Sequence, residues 1–312
     1  MAKKKHNDDW REMARDVASG VRRRVLRHTL ENNGGYLSQA CSSAEILAVL
    51  YTKIMNLKEN RGPKTPLPFS GVPGPNNPHS FTGASYNGPK GTKLDRFIFS
   101  PVHYALVLYS VLIETGRLAP DALEQFNQDG STVELIGAEH SPGHELTAGS
   151  LGQAISQAGG IALARKLRGD TGRVWVFMSD GEFQEGQTWE AFAALAYHKI
   201  DNIAVMVDAN GQQCDGDMKD VMTIEPIIGR LRSFGVNAHE VDGHDIDALA
   251  TAANRRQAGK PLVIVARTNP CCGIDLLKDR IPKLHYVRFK SDEEFQAYRD
   301  ALDAMDREKG GH

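Results

Sequence analysis

The chain has 312 residues, with 37 Lys and Arg against 39 Asp and Glu and a formal charge of −2. That balance excludes a nucleic-acid binder whose affinity comes from neutralising phosphates. Four cysteines (Cys41, Cys214, Cys271, Cys272) form no C-x-x-C pair, which excludes a disulfide scaffold or a zinc ribbon and fits a reducing cytoplasm. The first residues hold no apolar signal core and no apolar run nears the roughly 18 residues of a membrane span, so a soluble cytoplasmic chain with no membrane partner is expected.

In chain order, residues 9–31 read as an amphipathic helix, because Trp10, Met13, Val17, Val21, Val25 and Leu30 recur at helical steps among charges. Ser42-Ser-Ala-Glu45 has capping-box spacing and predicts the start of a second helix carrying Ile46 to Tyr51. Residues 61–92 interleave seven prolines with glycines and cannot sustain a helix or central strand, so they read as a long functional or mobile surface loop. Four β-branched runs follow at 97–100, 174–178, 203–207 and 262–266, separated by helical stretches at 104–115, 150–168, 188–198 and 245–256. Strands apolar on both faces, alternating with helices, predict a three-layer α/β/α fold with a central parallel sheet, read as one domain over 1–312. Ligands of such sheets sit beyond the strands' carboxyl ends, where Ser100-Pro-Val-His103, Ser179-Asp-Gly181, Asp208-Ala-Asn210 and Arg267-Thr-Asn-Pro270 cluster.

Asp180 ends one buried run and Asn210 follows the next, thirty residues on, about one strand-helix-strand unit. Their side chains would meet at adjacent strand ends. With a backbone carbonyl they would supply about half of the octahedral oxygen shell of Mg²⁺, the rest coming from a diphosphate and water. Gly181 lets backbone approach those phosphates.

These residues resemble the thiamine diphosphate motif of the transketolase family, with Ser179 in place of its first glycine. The resemblance implies thiamine diphosphate and Mg²⁺ as cofactors, Asp180, Asn210 and the Gln212 carbonyl as metal ligands, and Gly181 at the diphosphate. It extends over roughly residues 10–305. Gly149-Ser150-Leu151-Gly152-Gln153 is similar to the family's cofactor-lining loop, and Ser150 and Gln153 have capping-box spacing. Phe99-Ser-Pro-Val-His103 makes His103 the counterpart of an active-site histidine, and Pro282-Lys-Leu-His285 makes His285 a second one, reaching substrate and diphosphate. Glu185 matches an acidic residue at the subunit contact beside the cofactor. His140 or His144 corresponds to a remaining loop histidine facing substrate. Tyr36 stands where the family has a substrate-contacting histidine; its phenol can donate a hydrogen bond but does not exchange protons near neutrality.

The other histidines (His6, His28, His79, His198, His239, His312) read as exposed or packed, His244 as a structural hydrogen-bonding residue, and vicinal Cys271-Cys272 as inert thiols. The family's glutamate that tunes the cofactor's aminopyrimidine belongs to a pyrimidine-binding domain, which has no candidate here. By resemblance the chain is the N-terminal subunit of a split transketolase, partnered by a C-terminal subunit carrying that domain, two copies of each. The implied reaction moves a two-carbon ketol unit from a ketose, phosphorylated in this reading, to an aldose. The alternatives are the α subunit of a 2-oxo acid dehydrogenase-like enzyme and a non-catalytic cofactor-binding module.

Overall fold

The computed structural model describes residues 2–72, 74–77 and 82–310, and of 2–9 and 310 the backbone only. The side chains of His6, His79 and His312 and the prolines at 73 and 78 therefore lie outside the described residues. In chain order the elements are α1 (Ala2–Glu31), α2 (Leu37–Val49), β1 (Arg96–Phe99), α3 (Ala105–Glu114), α4 (Ala154–Leu167), β2 (Val174–Ser179), α5 (Gly186–Tyr197) and β3 (Ile203–Ala209). A two-stranded hairpin, β4 (Gln212–Gln213) and β5 (Gly216–Asp217), leads to α6 (Met218–Val221), α7 (Ile227–Ser233), β6 (Asn237–Asp242), α8 (Ile246–Ala252), β7 (Leu262–Arg267) and α9 (Asp292–Gly310).

The main sheet has the order β1-β2-β3-β7-β6, and every pair in it is parallel. Alternation along the strands sends side chains into two separate cores. Trp175 and Phe177 of β2, with Ala204 and Met206 of β3, meet α1, α2, α3 and α8 on one face. Val174, Val176 and Met178, with Val205 and Val207, meet α4, α5 and α7 on the other. This is the three-layer arrangement expected from continuous apolar strands. No helix among the described residues is long and apolar enough to cross a membrane.

Several local expectations are corrected. Ser42 and Glu45 do not cap a helix: they lie inside α2, which starts at Leu37 after Tyr36. Both are diverted to long-range polar contacts, Ser42 to Asp208 at 2.6 Å and Glu45 to Arg22 by two bonds of 2.7 and 2.6 Å. Ser150 and Gln153 form no capping box either, since α4 begins at Ala154 with no side-chain cap. The edge strand β6 was missed because its sequence, Asn-Ala-His-Glu-Val-Asp, alternates in burial instead of running apolar. Helix α1 starts at Ala2, ahead of the expected Asp9. Within the Pro/Gly-rich stretch, residues 83–87 form a 3₁₀ turn that is no surface loop: Tyr86 and Asn87 are buried, and Asn87 accepts from Tyr51 Oη at 2.8 Å and donates to the Gly143 carbonyl at 3.1 Å.

Candidate active site

Strands β2 and β3 pair Ser179 with Asp208, so the residues that follow them leave the sheet side by side. Asp180 is buried, and its Oδ2 accepts from the Gly211 amide at 2.8 Å. Burial, reinforced by the neighbouring Asp208 carboxylate, raises its pKa to about 8 against the opposing amide bonds. Asn210 is held by its own network: its Oδ1 accepts from the Gln212 amide at 2.9 Å, and its Nδ2 donates to Tyr104 Oη at 3.0 Å and Asp208 Oδ2 at 3.2 Å. Asp208 is the hub of that network. Fully buried, it accepts from Ser42 Oγ at 2.6 Å, Thr268 Oγ1 at 2.5 Å and Tyr104 Oη at 3.1 Å, so α2, β3, β7 and the start of α3 are tied together beneath Asn210.

A second buried carboxylate sets the loop that faces this floor. Glu182 accepts from the Ser179 amide at 2.8 Å and the Gly152 amide at 3.2 Å, and Ser100 Oγ donates to it. Ser179 and Glu182 form the capping box of this region. Ser179 is extended, with φ −95° and ψ 158°, a conformation open to any residue, so serine fits where the related motif has glycine. Gly152 is different. Its φ is +78° and a Cβ there would lie 2.9 Å from Glu185 Cβ and Thr188 Oγ1, so only glycine lets the 149–153 loop close on the start of α5.

Above the floor stand three rings from distant parts of the chain. The Gly35 amide and carbonyl pair with Val287 at 3.1 and 2.9 Å, clipping the turn before α2 onto the segment after His285. This puts the Tyr36 ring 5.4 Å from that of His285 and 5.7 Å from that of His103, the two imidazoles being 5.3 Å apart. Gln39 Nε2 donates to the His285 carbonyl at 3.1 Å and lies 3.4 Å from its Nδ1. Burial, with His285 adding a smaller repulsion, lowers the His103 pKa to about 3. Burial lowers that of His285 too, opposed by Asp215. Both imidazoles are therefore neutral near pH 7, each able to donate from one nitrogen and accept at the other.

Asp180, Gly181, Glu185, Asn210, Gln212, Leu151, His103 and His285 all line one cavity of about 300 Å³ beyond the sheet's carboxyl edge. Gly149 and Ser150 are exposed on the loop leading into it. His140 and His144 are not brought there, contrary to the expectation that one faces substrate. His144 is fully buried, its ring edge-on to Phe99 at 5.5 Å, and His140 pairs with Glu134 at 2.9 Å under Phe69. His244 bonds Glu45 at 3.0 Å and accepts from the Asn269 amide at 2.8 Å, a structural role. All four cysteines are free thiols. Ser42, Tyr104 and Glu182 carry no site role in the sequence reading, and Asp208 and Thr268 stand there only within the strand-end clusters, although Ser179-x-x-Glu182 has a capping-box spacing that could have exposed Glu182.

The donor set fits a hard cation with a diphosphate. No group of three or more His, Cys, Asp or Glu able to hold a metal occurs among the described residues. One buried carboxylate, an amide oxygen and a carbonyl leave half of an octahedral shell to phosphate and water. Gln212 Oε1 is buried in the same cavity with no hydrogen-bond partner. A Cβ on Gly181 would meet a single neighbouring atom, Gln213 Nε2 at 3.7 Å, so the space before its backbone is not filled by protein.

The family description "Transketolase, thiamine diphosphate binding domain" matches residues 80–301. A transketolase family protein of Sinorhizobium fredii is 33% identical over 305 residues, covering 96% of this chain and 97% of its own. One of the subunits of apulose-4-phosphate transketolase of Actinobacillus succinogenes is 29% identical, covering 92% of this chain and 95% of its own. Human transketolase is 29% identical over 88% of this chain, which spans only 40% of it. Among solved structures, transketolase of Campylobacter jejuni superposes over 96% of this chain and 48% of its own with a TM-score of 0.71 at 22% identity, a likeness of fold. With the family matched over most of its length, and a relative one-third identical from end to end, the chain belongs to the transketolase family through its thiamine diphosphate binding domain.

Proposed function

We propose that this chain is the N-terminal subunit of a two-chain transketolase, transferring a two-carbon ketol unit from a phosphorylated ketose to an aldose with a separate pyrimidine-domain subunit, two copies of each. The observation that carries the reading is the meeting of Tyr36, His103 and His285 over the floor made by Asp180 and Asn210. The names and lengths of the relatives support it: the chain matches almost the whole of a protein named as one subunit of a transketolase, but 40% of human transketolase. A histidine pair above the metal floor suits ketol transfer, and the relatives named as transketolases favour it over the 2-oxo acid dehydrogenase alternative.

In this reading Asp180, Asn210 and the Gln212 carbonyl hold Mg²⁺, and the Gly181 backbone and the Gly149-Ser150-Leu151 loop border the diphosphate. Thiamine diphosphate supplies a nucleophilic thiazolium carbon once bound. Neutral His103 and His285 would each present one donor and one acceptor to substrate oxygens, moving a proton at the carbonyl or hydroxyl where charge develops. Glu185, exposed at the cavity rim, would face the partner. A coupled ketol-transfer assay tests the whole reading. The isolated chain with Mg²⁺ and thiamine diphosphate should show no turnover, and adding the partner subunit should restore it; turnover by the chain alone, freed of partner, overturns the two-chain assignment.

A further inference from the structure

A second cavity, about 270 Å³, adjoins the first on the far side of the Tyr36 ring. Tyr36 lines this second cavity, while His103 and His285, which its ring touches, line the first, so the phenol stands as a wall between them. The chemistry of the second cavity is uniform. Its polar groups are Asn32, Asn127, Gln128, Tyr36 and Tyr286, and no Lys, Arg, Asp or Glu lines it. Its one titratable imidazole, His28, is kept neutral by burial, which lowers its pKa to about 4. Tyr36 stacks edge-on against Tyr286 at 4.9 Å, and Phe126 adds a third ring. Among the described residues no hydrogen bond engages the hydroxyls of Tyr36 and Tyr286 or the side-chain amide of Gln128, which leaves donors and acceptors free beside apolar ring faces.

We propose that this second cavity is a subsite for the uncharged, hydroxyl-bearing tail of a sugar, and that the Tyr36 ring is the partition that sets how far the tail extends from the reacting centre. Free amide and phenol groups pair with hydroxyls and ring faces cover the carbon chain, while the cations Arg24 and Arg27 line a neighbouring cavity beyond His28, Asn32, Phe126 and Gln128 and not this one. The first cavity also lacks Lys and Arg, so a phosphate on the substrate falls to the partner subunit. Naming the ligand as a sugar rests on the ketol-transfer reading above; the binding surface itself does not.

Two measurements separate the two. In the first, the full chain alone is titrated with an unreactive polyol, arabinitol, and with arabinitol 5-phosphate, followed by ligand-observed NMR. Arabinitol should bind, and Gln128→Ala and Tyr286→Ala, both at exposed positions, should each weaken it about five- to tenfold, the worth of one hydrogen bond. The phosphate ester should gain nothing. No binding of arabinitol, binding unchanged in both variants, or tenfold tighter binding of the ester overturns the subsite. In the second, the reconstituted pair is assayed with aldose acceptors of three to six carbons. Tyr36→Ala should raise the ratio of kcat/KM for long over short acceptors about tenfold, while Tyr36→Phe, which keeps the wall, should leave that ratio near wild type. An unchanged ratio in Tyr36→Ala removes the partition role. If the wild-type pair transfers nothing, the ketol-transfer reading fails, and the arabinitol titration still decides the subsite.

Discussion

At the residue scale the floor and the rings make separable demands. Asp180 is the one carboxylate among the proposed metal ligands, so Asp180→Ala removes the negative charge that would compensate Mg²⁺ and should weaken Mg²⁺-dependent cofactor binding by about 10²-fold or more while the fold survives. Calorimetric titration of thiamine diphosphate with and without Mg²⁺ checks this, and unchanged affinity would remove the metal assignment. His103 and His285 touch neither Asp180 nor the backbone of Gly181 through any hydrogen bond. His103→Ala and His285→Ala should therefore lower turnover of the assembled pair about 10²-fold with a smaller loss in cofactor affinity. Full turnover in either variant would take that histidine out of the chemistry. Asp208, fixed by three hydroxyls, is fully buried and does not line the cavity; it accepts from Asn210 and so orients it, and its importance is invisible until those hydroxyls are seen around it.

At the scale of elements, the cofactor loop depends on one glycine and one buried acid. Gly152 brings residues 149–153 against Glu185 and gives its amide to Glu182. Gly152→Ala forces a side chain into the left-handed region and into contact with Thr188, at a cost of about 1–3 kcal/mol. The strain should fall on the loop and the start of α5. Cofactor affinity should drop with little change in far-UV circular dichroism, and a variant with wild-type affinity would show that the loop does not border the cofactor. The clip between Gly35 and Val287 works in the same way for the rings, since a Cβ at Gly35 would collide with Thr29 Oγ1 and push Tyr36 away from His285.

For the whole molecule, buried imidazoles and buried carboxyls act in opposite directions as the pH falls. Burial lowers the pKa of His28 and of His144 to about 4 and that of His103 to about 3, all below the ordinary 6.5. A group whose folded pKa is depressed contributes stability that is complete above pH 6.5 and is lost as the pH falls toward the folded value. Each such histidine should therefore withdraw up to about 3 kcal/mol between pH 6.5 and 4, while the buried Asp180 carboxyl, raised to about 8, acts in the opposite direction over the same range. His144, fully enclosed with its Nε2 unpaired, gives the cleanest test. In urea unfolding at a series of pH values, His144→Phe should show a shallower acid slope than wild type; an identical slope would mean that protonation of His144 is not linked to folding.

Length, strand composition and the spacing from Asp180 to Asn210 were enough, in the sequence, to define a parallel α/β sheet and to point to its carboxyl ends as the candidate site. Those features are local or periodic: continuous β-branched runs require burial on both faces, and one strand-helix-strand unit fixes how far apart two adjacent strand ends fall in the chain. The capping box expected at Ser42 failed for a physical reason, because a short polar side chain in a helix follows the strongest available partner, and that partner, Asp208, is 166 residues away; Ser150 instead lies exposed on the loop before α4. The polar edge strand β6 escaped because only half of it is covered. The meeting of Tyr36, His103 and His285, the exclusion of His140 and His144 from the cavity, and the wall between two cavities were decided by tertiary structure alone. Each depends on contacts between segments far apart in the chain, whose spacing along the sequence holds no information until the sheet and its covering helices bring them together.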